Sequence, residues 1–526
     1  MVRDEEHATS AEIDWDPVPG TELMKDVGNI HLVQSGKQVL IPQPEDNPND
    51  PLNWSWKWKF AIMAGQTIYG FINQFGPLSV APQVPYYAEE WNRSNNDVLQ
   101  FTGVFILVLG FASFIWIPMS TKFGRRLVLV SSSLLGFAVC LWRALAKSYS
   151  SMLGASAVHG IASGASQALP PALVTDVMFL HERGLYMGLY SWSVFGAMMV
   201  GPIVSGAMTE KYGWRSFWWL NVGLYGFLTI GTLLFMPETK WSRIENPIVE
   251  ASKGDEEKEK VETSAIEVNA EDNYLGSGSP SKKQFNIFHY YVSETTNIWR
   301  PIWVPVKLAT FPLVFWSGMV YSWSSCIFLI TNLTQSEVFH AEPYNWSSSN
   351  VGYANFATFV GASIGLFTAG PFSDWWSKRC TIRNNGIREP EMRLPSMLPY
   401  IALSIIGVVV ISVGYQRHWP WEAIVIVGYG MVGIQSTSII SIIGTYAVDC
   451  YKPVSGDIFV LASVIKDLWA YGVSKFLLPW IEEVGFITPI MAIYGIFLFL
   501  LALAVPVYFT GKFFRRLTKD SFVHYL

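Results

Sequence analysis

Lys466 and Asp467 stand side by side in a stretch of the chain that is otherwise mostly apolar. Ionisable groups at membrane depth are costly and mostly face a cavity or a partner, which makes these two, near the middle of their stretch, the best intramembrane charge candidates. His159 is a second candidate, because an imidazole with a reference pKa of about 6.5 can carry a proton near neutrality. A lone histidine among apolar neighbours is as often a hydrogen-bonding packing residue, so both readings stay open. Arg143 and Lys475 lie nearer the ends of their apolar stretches, where long stems can snorkel to an interface. Gln167, Asn355, Gln435, Tyr190 and Trp192 are polar or aromatic positions inside such stretches. They could line a binding cavity or simply join helices.

The surrounding composition says what must position these groups. Of 526 residues 51% are hydrophobic and only 15% are charged, far from the balance of a soluble domain. Stretches of about 20 apolar residues suffice to cross hydrocarbon as helices. Twelve are predicted, at 58–82, 98–119, 126–146, 150–176, 185–208 and 215–236, then at 308–331, 350–370, 395–414, 421–447, 457–479 and 486–510. The expected fold is an all-α integral membrane protein with two six-helix halves, residues 57–236 and 301–511. Residues 1–56 are polar, without the basic-then-apolar profile of a signal peptide, and are expected to be cytosolic and mostly disordered. Residues 237–300 form a charged linker whose hydrophobicity cannot repay ordering, and 512–526 form a short cytosolic tail with little room for a signalling module.

Lys and Arg concentrate in alternate loops, which places the N-terminus inside. Sequons at Asn92, Asn332 and Asn345 then fall in outer loops as glycosylation candidates. The four cysteines have neither disulfide-framework nor zinc spacing, and no metal site is expected. A net charge of −5 gives nucleic acid no basic footprint. No Walker loop or nucleophile elbow is present, so enzymatic chemistry and ATP-driven pumping are disfavoured.

The two halves echo each other. Pro118 to Arg126 recurs as Gly370 to Arg379, each a basic segment closing the second span of its half. The first holds Lys122, Gly124, Arg125 and Arg126, and the second holds Gly370, Asp374, Lys378 and Arg379. Asp374, near Arg379 and helix N-termini, can pair in one conformation and release in another, which suggests gating as well as topology. An acid also ends the fourth span of each half: Asp176, followed by Glu182 and Arg183, and Asp449, followed by Lys452. In the fifth span, Gly196, Gly201, Pro202 and Gly206 permit close helix approach and a bend.

These segments resemble the loop motif, charge relay and antiporter motif of the major facilitator superfamily, from Asn53 to about Arg516. Asp50-Pro-Leu-Asn-Trp54, Gly213-Trp-Arg215, the Glu389 to Leu394 loop and Val448-Asp-Cys-Tyr451 look like fungal twelve-spanner drug:proton antiporters. Ile117, Thr121 and Ser205 depart from the motifs, and Ser156 stands where that family usually has a span-4 Arg. The resemblance implies secondary active transport without a cofactor, powered by a proton gradient. It implies efflux of small organic compounds by a monomer in the lipid bilayer of the plasma membrane, with the vacuolar membrane as the alternative. The alternative function is proton-coupled uptake of a polyamine, another organic cation or a nutrient. A non-transporting receptor on the same scaffold is the third reading, disfavoured by the short tail.

Overall fold

A computed structural model of the chain describes residues 19–23, 44–45, 47–241, 276–288, 300–384, 386–451, 454–519 and 521. Backbone groups in hydrocarbon must find partners within their own segment, so apolar stretches of this length become helices. The first half contains α1 (Trp56–Phe75), the short α2 (Val84–Trp91), α3 (Asn95–Phe123), α4 (Arg125–Leu145), α5 (Tyr149–Val177), α6 (Leu180–Tyr212) and α7 (Trp214–Phe235). The second contains the short α8 (Arg300–Leu308), α9 (Pro312–His340), α10 (Ser348–Arg383), α11 (Leu398–Arg417), α12 (Gly430–Cys450), α13 (Ser455–Val484), α14 (Ile487–Ala502) and α15 (Ala504–Leu517).

The expected stretches fall on long helices, except that the first runs past α1 into a 3-10 segment (Pro77–Gln83), the tenth opens with a π-helical segment (Ala423–Tyr429) before α12, and the last is divided between α14 and α15, bent by 43°. Among the described residues eight helical segments are long and apolar enough to cross a membrane, nine with the bent pair counted as one span. α1, α5 and α13 are outside that count. They carry Gln74, Gln167, Lys466 and Asp467, which line a cavity, and the buried His159, so their lower hydropathy reflects these polar groups rather than poor helix formation.

The repeated basic segments are not equivalent. Gly124 adopts φ +91°, breaks the chain between α3 and α4, and so makes a true turn. In the second copy Ser377 occupies the corresponding place, and α10 runs on unbroken to Arg383. Gly370, Asp374, Lys378 and Arg379 are therefore helical rather than in a turn, because no residue there favours the left-handed region.

Across the halves α3 packs on α13 and α6 packs on α10. Lipid offers no hydrophobic drive between apolar helices, so close backbone approach through small residues carries this seam. A Cβ at Gly352 would lie 2.6 Å from the Pro202 carbonyl oxygen, and one at Gly206 would collide with the Ser348 carbonyl. A Cβ at Gly201 would meet the Phe75 carbonyl, and Gly196 faces Phe359. α6 is thus wedged between α1 of its own half and α10 of the other.

Parts of the segments expected to be disordered are ordered. β1 (Glu22–Leu23) pairs antiparallel with β2 (Ile387–Arg388), and Arg515 donates to the Pro19 carbonyl at 2.6 Å. Gly278 bridges to Trp54. Residues 1–18, 24–43 and 46 of the N-terminal region, 242–275 and 289–299 of the linker, and Lys452 lie outside the described residues. Asn92 and Asn345 are exposed beyond helix ends, as expected. Asn332 is not in a loop: it is 2% exposed within α9, its amide aimed at the Leu78 carbonyl, and so is no accessible sequon.

Candidate functional site

α13 brings Lys466 and Asp467 to the seam between the halves. Asp467 is buried; its Oδ1 lies 3.1 Å from Lys466 Nζ, and its Oδ2 accepts from Gln167 Nε2 of α5 at 3.5 Å. Gly110 makes this approach fit, since a Cβ there would be 2.8 Å from Asp467 Cβ. The carboxylate therefore touches both halves at once.

Beside it lies a cavity of about 470 Å³. Its first-half wall is largely apolar, with Phe105, Leu109, Met187, Phe195 and Met198. Its second-half wall carries hydroxyls from Ser325, Ser436, Ser441, Thr445 and Ser463. Gln74 and Tyr190 add polar atoms, both bound to Ser166. The lining runs from Met187, Thr445 and Phe459, toward the basic segments, to Pro77, Leu78 and Phe328 at the far end.

At that far end the halves are joined. Asn95 Nδ2 donates to Glu337 at 2.8 Å, Gln100 to the Ser474 carbonyl at 3.2 Å, and Glu210 accepts from the Ser349 amide at 3.0 Å, capping α10. These contacts close the seam at the end opposite the basic segments, which is the outer end in the orientation read from the basic loops.

His159 is elsewhere. It is buried in the first half, outside the cavity lining, with Nδ1 3.0 Å from Arg143 Nη1 and Nε2 3.0 Å from Tyr225 Oη. A guanidinium can only donate, so Nδ1 accepts, and the imidazole is neutral and donates to Tyr225. Tyr225 passes its own proton toward Asn73 Oδ1 at 3.2 Å. Arg143 does not snorkel: it is fully buried, donates to Ser156 Oγ at 2.7 Å and lies 3.9 Å from the Trp218 ring centre. The arginine absent at Ser156 is thus replaced in space by one from α4. Asn355 and Gln435 are also helix-joining residues, bound to Gln335 at 3.0 Å and Ser324 at 2.6 Å. Trp192 is half-exposed, its indole 3.4 Å from Ser363 Oγ across the seam. Lys475 is exposed and lies over Tyr471.

The basic segments organise a charge cluster in each half. In the first, Arg125 meets Asp176 at 3.3 Å, and Glu238 accepts from the amides of Arg125 and Arg126 at 2.9 and 3.1 Å. That carboxylate sits at the N-terminus of α4, where the helix dipole favours an anion. Arg126 in turn donates to the Leu233 and Met236 carbonyls at the end of α7. Lys122 lies over Phe123, and Arg183 donates to the Thr175 carbonyl while Glu182 begins α6.

In the second half the hub is Arg393, which holds Asp374 at 2.7 Å and Asp449 at 2.8 Å. Arg379 instead lies over Trp375, 4.4 Å from the ring centre, so the expected partner of Asp374 is replaced. Lys378 is exposed, and Gly370 faces open space. Sequence reasoning counted Arg393 only as a topological charge and passed over Glu238. The latter's signal was an isolated acid just after a span, Pro237-Glu238-Thr239.

A family model described as the Major Facilitator Superfamily matches residues 62–470. The chain is 26% identical to an uncharacterised MFS-type transporter of Schizosaccharomyces pombe, over 94% of this chain and 91% of the relative. It is 25% identical to Protein HOL1 of Saccharomyces cerevisiae, over 91% of each. It is 23% identical to the efflux pump radE of Floropilus chiversii, over 84% of this chain and 78% of that protein. With two helical halves enclosing a cavity, and a match across most of both, this chain is a multi-pass membrane transporter of the Major Facilitator Superfamily.

Proposed function

We propose that the protein is a proton-coupled exporter of small amphipathic organic compounds, working by alternating access. The observation that carries this is the Lys466, Asp467 and Gln167 contact, a titratable carboxylate shared by both halves beside the cavity. Protonation of Asp467 weakens its hold on both partners and so biases the seam; two halves rocking about a midplane site do the rest. Rings and methionines on one wall and hydroxyls on the other suit ligands with an apolar body and a polar edge. The clusters around Arg125 and Arg393 act as inner gates, and the plasma membrane is the expected residence. The likeness to the efflux pump radE supports the outward direction.

A second reading, uptake of an organic cation, rests on the same carboxylate. Deletion-strain assays with labelled polyamines and hydrophobic toxins, with and without an uncoupler, separate the two. Export predicts toxin accumulation on deletion and the same accumulation in the wild type under uncoupler. Unchanged accumulation of both cargo classes sinks both readings.

A further inference from the structure

The pair in the cavity has an unusual internal geometry. Neighbouring residues on a helix point in different directions and do not face each other. Lys466 therefore reaches Asp467 only by folding its flexible four-carbon stem back along α13, a contact that a rotamer change undoes. Asp467 has no such freedom, because α3 presses its bare Gly110 backbone against it and Gln167 holds its second oxygen. Among the described lining residues Asp467 is the one carboxylate and Lys466 the one ammonium or guanidinium.

We infer that Lys466 is a tethered stand-in for a transported organic monocation. It occupies Asp467 when the cavity is empty and gives the carboxylate up to a ligand carrying one positive charge. This rests on the reading of the cavity as the transport site, and it names the substrate class. A monocation replacing the ammonium at Oδ1 keeps the carboxylate neutralised, while Tyr321, Phe328 and Phe459 in the same lining supply aromatic surface for its apolar groups. The displaced Lys466 swings away from Oδ1, and the hydroxyl-bearing wall of the cavity offers it acceptors. A ligand with two or more separated charges finds no second carboxylate in the lining and leaves a charge uncompensated. Since Oδ2 stays with Gln167, occupancy of Oδ1 is felt at the contact between halves.

The test uses the full-length protein in nanodiscs at pH 7.5, with tetraphenylphosphonium as the monocation and triphenylphosphine oxide as its neutral counterpart. Removing the competing charge in Lys466→Met should tighten tetraphenylphosphonium binding by roughly tenfold or more. Lys466→Arg should resemble the wild type, Asp467→Asn should lose the monocation, and the oxide should bind all four alike. Lys466→Gln replaces Lys466→Met if the latter elutes as aggregate. Weaker or unchanged monocation binding without the lysine overturns the inference, as does a parallel change for the oxide or the absence of saturable monocation binding. Spermidine binding as tightly as the monocation overturns its single-charge part. Proton-driven flux in proteoliposomes is scored separately. The expected binding pattern without such flux rejects proton coupling but keeps the cation site, and flux with the opposite pattern rejects this inference alone.

Discussion

Gln167 on α5 and Asp467 on α13 meet across the two halves, amide to carboxylate, at 3.5 Å. This places one titratable group where its charge affects the relation between the halves. Asp467→Asn keeps the shape and a hydrogen-bonding edge but cannot titrate. It should fold normally and lose gradient-driven transport to the level of empty liposomes. Full gradient-driven transport by this variant would remove Asp467 from coupling.

Arg393 ties Asp374 of α10 to Asp449 of α12, with its side chain 8% exposed. Arg393→Ala takes away the nearer of the two guanidiniums on Asp449 and leaves only Arg388 at 3.7 Å, a loss of about 1–3 kcal/mol for a partly buried group deprived of its main partner. Thermal unfolding should show the drop, and Arg393→Lys should restore part of it. Because Asp374 is mostly exposed, Asp374→Asn should change stability far less. Equal effects of Asp374→Asn and Arg393→Ala would contradict the hub role.

Two glycines on α6 separate folding from gating. Gly206 abuts Ser348 of the other half, whereas Gly201 abuts Phe75 of its own. Leucine at either position overpacks, at about 1–3 kcal/mol. Gly206→Leu should pry the outer seam apart, raising thiol labelling of an Asn95→Cys reporter. Gly201→Leu should lower stability without raising that labelling. Identical labelling in the two variants would refute this assignment of the seam.

His159 is held neutral by the Arg143 donor and lies outside the cavity. His159→Asn can accept from Arg143 and is expected to leave the pH profile of transport in place. A profile shifted by a full pH unit would instead make His159 a proton carrier.

On the outer side, Glu90 accepts from Arg215 at 2.6 Å and from Trp214 at 2.6 Å. Partial burial works against its charge, but hydrogen bonds from Arg215 and Trp214 prevail and hold the carboxyl below its usual range. A depressed folded-state pKa means that the unfolded chain binds the proton more readily. The contribution is therefore full above the unfolded pKa of about 4.3 and fades as pH falls through the folded value. Both partners are more than a third exposed, so it amounts to less than about 1 kcal/mol. Glu90→Gln should melt slightly below the wild type at pH 7, and the gap should close on acidification below about pH 4. A gap that widened in acid would reverse the sign argued here.

The helices and their order were legible in the sequence because hydrocarbon forces backbone pairing within each span, and that demand is written in local hydropathy. The glycines of α6 were legible for a related reason: close approach requires a missing side chain whatever the partner. Lys466 and Asp467 stood out because charge in an apolar run is costly. The choice of partners depends on contacts between distant segments, and there the tertiary structure decided. It withdrew His159 from the cavity by bringing Arg143 onto it from α4, and it gave Asp374 to Arg393 rather than to nearby Arg379. It also kept α10 helical through the second basic segment, where Ser377 stands in the place of Gly124. Spacing along the chain names the groups that can meet, but the packing of helices from both halves selects those that do.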